Sequence, residues 1–161
     1  MHGKTNQKGD KGGGDMTIDH FIEGASSVDM GQIINRAVEK KEKVLVYMNW
    51  KDQLYEQGID SEGRQLPPYK KSTQRIKKAK SQRYDHTTLR DTGEFEGNFI
   101  IIYRPNEIEF SARPTYRDGM DLTLHLQDRY GTDIFGLTQP NIEKLQEIIK
   151  DDIIEELRQW A

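Results

Sequence analysis

Hydrophobic and polar positions alternate with different periods along the chain, and each period predicts an element. Ile33, Ile34, Ala37, Val38, Val44, Leu45 and Met48 recur at helical steps, which predicts a long helix from an N-cap at Ser27 to about Gln57, with Gly58 as its stop. Lys40-Lys41-Glu42-Lys43 interrupts the apolar stripe, so this part is expected to project into solvent. Asp60-Ser61-Glu62-Gly63 reads as a turn, and Leu66-Pro67-Pro68-Tyr69 as an extended stretch, because proline disfavours helix at the residue before it. Ser72 is placed to cap a short helix that runs to about Lys80.

The second half reads differently. Phe95 to Tyr103 predicts a strand, and the continuous apolar run Phe99-Ile100-Ile101-Ile102-Tyr103 at its centre predicts burial on both faces. After the turn signal Pro105-Asn106, Glu107 to Ala112 alternates strictly, as a half-buried strand does. The two form an antiparallel hairpin over about 95–112. Leu122, Leu124 and Leu126 fit a third strand over about 120–126, while Asp121 to Arg129 also suits a helix. The final pattern is a helix capped by Thr138 with Pro140 in its first turn. Ile142, Leu145, Ile149, Ile153, Leu157 and Trp160 form its stripe, and Glu143, Glu147, Asp151, Glu155 and Glu156 lie mostly off it. The fold class that follows is α+β: a long N-terminal helix, a small antiparallel sheet and a long C-terminal helix packed on it. Residues 16–161 read as one domain without internal repeat or linker. Met1 to Asp15, rich in Gly and Lys and without an apolar core, reads as a flexible arm and no secretory signal.

Composition narrows the chemistry. Hydrophobic residues make up 34% and charged residues 32%, so much of the chain is exposed surface or tail. A net charge of −3 gives no global pull toward nucleic acid or acidic membranes. The absence of cysteine excludes disulfides and thiolate metal sites and suits a reducing cytoplasm. No apolar run reaches the roughly 20 residues that span a bilayer, so no membrane association is expected.

Charge is unevenly distributed. Arg64 to Tyr84 contains eight Lys or Arg residues and no acid. Lys70, Lys71, Arg75, Lys77, Lys78, Lys80 and Arg83 are candidates to contact DNA or an acidic partner, against the simpler reading of a solvated surface loop and helix. Tyr69 and Tyr84 lack the regular aromatic spacing that stacks on single strands.

Few motifs carry reaction chemistry. Asp91-Thr92-Gly93 is the triplet of aspartic proteases, where two aspartates share a proton across a dimer axis. Ile134-Phe135-Gly136 is similar to the apolar-apolar-Gly segment found late in retroviral proteases. The flanks differ: Arg90 stands where an apolar residue is required, Glu94-Phe95 follows the glycine, and no Gly-rich flap intervenes. The alternative is that Asp91 and Thr92 cap a turn in which Gly93 takes a positive φ. His2, His20, His86 and His125 have no metal-ligand spacing, and no Gly-x-Ser-x-Gly elbow supports Asp85-His86 as part of a hydrolase triad. No phosphate-binding loop is present, and no cofactor is expected.

An ordered set of short motifs remains. Gln57-Gly58-Ile59-Asp60-Ser61-Glu62-Gly63 is followed by Leu66-Pro67-Pro68-Tyr69 and Thr73, then by Leu89-Arg90-Asp91-Thr92-Gly93, then by Tyr130-Gly131 and Phe135-Gly136-Leu137. In this order, over roughly Ile33 to Trp160, the chain resembles the virion morphogenesis and tail-completion proteins of tailed phages, though it lacks the His-Gln-x-Gly segment of the Mu-like branch. The motif residues Leu89, Thr92, Gly93, Tyr130, Gly131, Phe135, Gly136 and Leu137 carry the resemblance. It implies a non-enzymatic protein of the neck or tail that joins head to tail or completes the tail. It implies other neck and tail proteins as partners, a homo-oligomer when assembled, proximity to DNA, and a location in the virion after assembly in the host cytoplasm. The basic 64–84 segment and the acidic terminal helix would then be complementary faces of neighbouring subunits. A nucleic-acid-binding module using the same basic residues is the alternative.

Overall fold

The structure is a computed structural model and describes residues 29–105 and 107–159. The expected flexible arm over 1–15, the Ser27 cap and Trp160 lie outside these residues. The chain mixes helix with two small antiparallel sheets, so the α+β class holds.

The N-terminal helical run is divided. Helix α1 spans Met30–Glu39 and is capped by Asp29, whose carboxylate accepts from Gln32 N–H at 3.2 Å. Helix α2 spans Glu42–Val46, and a π-wound segment follows over Tyr47–Gln57. Gly58, left-handed at φ 66°, ends the run where expected. Of the apolar stripe, Ile33, Ala37, Val38, Leu45 and Met48 are buried, while Ile34 and Val44 face outward. The break at Lys40 and Lys41 does not stand free in solvent. Lys40 reaches Glu156 at 2.9 Å and Lys41 reaches Asp152 at 3.1 Å, so the turn is held against the C-terminal helix. The Lys40 ammonium keeps the Glu156 carboxyl below its ordinary value.

Helix α3 spans Lys71–Ala79. Its N-cap is Lys70, so Ser72 sits inside the first turn and caps nothing. The expected strand start at Phe95 is a helical turn instead, α4, over Glu94–Gly97. Gly93 at φ 94° turns the chain into it, and Phe95 drops into the core. Strand β1, Phe99–Arg104, pairs antiparallel with β2, Glu107–Ala112, from Phe99↔Ala112 to Arg104↔Glu107. Phe99, Ile101, Tyr103, Ile108, Phe110 and Ala112 share the inner face. Ile100 and Ile102 share the other and are only half-buried, so the apolar run is not buried on both faces.

The third strand over 120–126 is not formed as expected. A two-residue ribbon, β3 Tyr116–Arg117 with β4 Met120–Asp121, closes through Asp118 and Gly119, both at positive φ. Leu122–Tyr130 is helix α5, because Asp121 accepts from the N–H groups of Thr123 and Leu124 and starts a helix there. After a 3₁₀ turn at Thr132–Ile134, helix α6 runs over Gln139–Arg158. Thr138 is its N-cap by position but makes no side-chain cap bond.

Two apolar clusters result. One joins Leu54, Leu66, Leu89, Phe95, Phe99, Ala112 and Ile134. The other joins Ala37, Val38, Leu45, Ile101 and Ile149 under α6. Val46 packs against both. Ile149 is the one apolar side chain of α6 that is fully buried among the described residues; Ile142, Leu145, Ile153 and Leu157 are half-covered.

Candidate functional site

Two of the motif pieces separated in sequence meet: the turn at Asp60–Gly63 and the loop at Phe135–Leu137. Phe95, two residues after Gly93, packs edge-on to Phe99 with ring centroids 5.0 Å apart, and Phe135 closes the triangle at 5.8 and 5.4 Å. Leu137 is buried beside them in sequence, and Gly131, at φ 88°, ends α5. Gly136 stands at φ 117° against Ser61, where an added Cβ would come within 3.2 Å of the serine Cβ.

Two buried amides hold this loop. Asn49 donates to Ile134 C=O at 3.1 Å and accepts from Gly136 N–H at 3.3 Å. Gln53 donates to Gly136 C=O at 3.0 Å and accepts from Thr138 N–H and from Asn141 Nδ2, both at 2.8 Å. Both side chains are fully buried. Gln53 thus satisfies the N–H of Thr138, one of the first four that the helix leaves without an internal partner. The sequence pattern did not single these amides out, since their signal is only two polar residues four apart on a helix face. Arg64 adds an ion pair with Asp133 and another with Asp60 at 2.9 Å, tying the Asp60–Gly63 turn to the same loop.

Leu89 to Gly93 is a second crossroads. Leu89 is buried with φ 53°, a backbone that a bulky side chain rarely adopts. Arg90 pairs with Glu96 at 3.0 Å. Asp91 pairs with Lys80 and with Arg117, each at 3.2 Å. Arg117 also donates to Thr92 Oγ1 at 2.9 Å and to Glu94 at 2.7 Å, which pins the β3–β4 ribbon to the motif. The Lys80 ammonium, and with it Arg117 and Gln82, holds Asp91 below the usual carboxylate range. The Asp91 carboxylate is thus engaged by two cations of its own chain. His86 lies between Tyr55 C=O at 2.8 Å and Asp85 Oδ2 at 3.0 Å, fastening the loop after α3 to the end of the π-wound segment.

The basic residues divide into three groups. Lys77 is buried: its ammonium donates to Arg90 C=O and to Gln82 Oε1 and lies 5.0 Å from the Tyr69 ring centroid. Lys80 and Arg83 are exposed or half-exposed but committed, Lys80 to Asp91 and Arg83 to Glu56 at 2.6 Å and Asp85 at 3.3 Å. Lys70, Lys71, Arg75 and Lys78 are exposed on α3 and its first cap and make no ion pair among the described residues. Only these four remain of the seven as an available cationic surface. On α6, Glu143, Glu147, Asp151 and Glu155 are exposed, interspersed with Lys144 and Lys150.

No family model, no curated protein and no solved structure matches the chain.

Proposed function

We propose that the chain is a non-enzymatic structural or assembly protein of a tailed phage, acting at the neck or tail through protein–protein contacts in a homo-oligomer and with other neck and tail proteins. The reading rests on the order of short motifs and on the layout they imply, a long helical N-terminal part and a long C-terminal helix around a small sheet. The observation that carries the oligomer is the split of charge. Lys70, Lys71, Arg75 and Lys78 stand on α3 without acids of their own, and Glu143, Glu147, Asp151 and Glu155 line the outside of α6. Surfaces of opposite charge on different elements favour fixed-register contacts between copies. The half-covered apolar stripe of α6 is further support, since it leaves area for a neighbour.

The same four cations favour a second reading, contact with nucleic acid by charge alone. The discriminating experiment is sedimentation of the purified protein across ionic strength, with and without duplex DNA. Self-association that weakens with salt and ignores DNA supports the assembly reading. A monomer that binds DNA with a steep salt slope supports the second.

A further inference from the structure

A half-open cavity of about 140 Å³ is lined by Lys77 of α3 but by none of Lys70, Lys71, Arg75 and Lys78. Leu89, Phe95, Leu122 and Leu126 form its apolar walls, with the rings of Tyr69 and Tyr130. Burial pushes the Tyr130 hydroxyl above its ordinary value. The volume is close to the ~150 Å³ that accepts benzene in an engineered apolar cavity.

The lining also carries Lys77, Arg90, Asp91, Glu94 and Arg117, and of these charges only Lys77 is buried. Lys77 is 6% exposed. Its neighbours are the Arg90 carbonyl, the Gln82 amide oxygen and the Tyr69 ring, and none of them is a carboxylate. A buried ammonium is normally paired with an anion, because hydrogen bonds to neutral groups offset only part of its desolvation. The acids at the rim do not supply that anion: Asp91 is held by Lys80 and Arg117, and Glu94 by Arg117. Leu89, on the same wall, carries the strained backbone at φ 53°. Strain of this kind gathers where a ligand is clamped.

We propose that this cavity binds a small monocarboxylate bearing one aromatic ring or a branched aliphatic group, with the apolar group between Phe95, Leu126 and Tyr130 and the carboxylate on Lys77 Nζ. Such a group comes either as a free small acid or as the C-terminal residue of a peptide. The cavity shares no residue with the exposed cations of α3, so its occupancy is separable from assembly.

The test is a titration followed by NMR of the full chain with three probes: phenylacetate, neutral phenylacetamide, and a Gly-Gly-Phe peptide with a free carboxylate. Phenylacetate is expected to bind with shifts at Leu126 and Tyr130, and phenylacetamide at least about tenfold more weakly, the loss of one charge-assisted contact. Lys77→Met is expected to remove that preference, and Leu126→Trp to remove binding of both. Binding of the peptide as well as phenylacetate identifies a chain terminus as a source; binding of phenylacetate alone identifies a free acid; either supports the proposal. No binding of phenylacetate to the wild-type protein at 20 mM, or equal binding of acid and amide, overturns it. The acid–amide comparison on the wild-type chain decides the matter even if Lys77→Met fails to fold.

Discussion

The side-chain oxygen of Gln53 accepts the backbone N–H of Thr138 at 2.8 Å, across 85 positions of sequence. The same oxygen holds Asn141, and the Gln53 amide nitrogen holds the Gly136 carbonyl. One side chain from the π-wound segment therefore sets both the apolar loop and the start of the C-terminal helix. π-type winding is uncommon and recurs where a helix must aim particular side chains.

Replacing Gln53 with Leu keeps the volume but strands the Gly136 carbonyl, the Thr138 N–H and the Asn141 amide. The expected loss is about 3 kcal/mol, within the ~1–3 kcal/mol that a stranded buried polar group costs. Urea unfolding measures it. Asn49→Leu is expected to be less than additive with it, because both side chains hold Gly136.

Gly136→Ala is expected to destabilise by about 1–3 kcal/mol, since φ 117° is a backbone that a Cβ strains. Thermal unfolding gives the number. Ser61→Gly in the same chain is expected to return only the steric share, because it opens the 3.2 Å contact without relaxing the backbone.

Asp91 sits below its ordinary carboxylate value, held first by Lys80. The sign follows from linkage: a depressed folded value contributes stability above the unfolded value, near 4, and that contribution is lost as pH falls through the folded value. Between pH 5 and the acid limit, Asp91→Asn is therefore expected to show a flatter fall in stability than the wild-type protein. Unfolding midpoints measured at successive pH values, at low and high salt, check this. Parallel curves would remove the ion cluster from the account.

The elements with strong periodicity were legible in the sequence, and those set by tertiary contacts were not. Gly58 as a helix stop, the β1–β2 hairpin and the Pro140 first turn of α6 follow from local chemistry alone. Phe95 reads as strand by hydrophobicity, yet the turn at Gly93 and the Phe99–Phe135 pair draw it into a helical turn. The leucines from 122 to 126 alternate as a strand does, and the Asp121 cap decides for helix. At the candidate surface the basic run was visible as charge, but not that Lys77 turns inward and Lys80 and Arg83 are already paired. Whether a lysine turns inward or pairs at the surface depends on where Arg90 and Gln82, for Lys77, and Asp91, for Lys80, are brought by the fold.

That division fixes which substitutions report on assembly. Glutamate at Lys70, Lys71, Arg75 and Lys78 together is expected to abolish salt-sensitive self-association while leaving the unfolding temperature within a few degrees, since exposed unpaired charges contribute little to stability. Light scattering coupled to size separation, with thermal unfolding of the same samples, reads both. Unchanged association would remove the α3–α6 contact.

The measurement that bears most directly on the proposed role is quantitative mass spectrometry of tailed-phage particles purified by density from a strain expressing this chain. A low, fixed copy number per particle is the expected result. Absence from particles and from separated head and tail intermediates, with the protein abundant in the lysate, would contradict it.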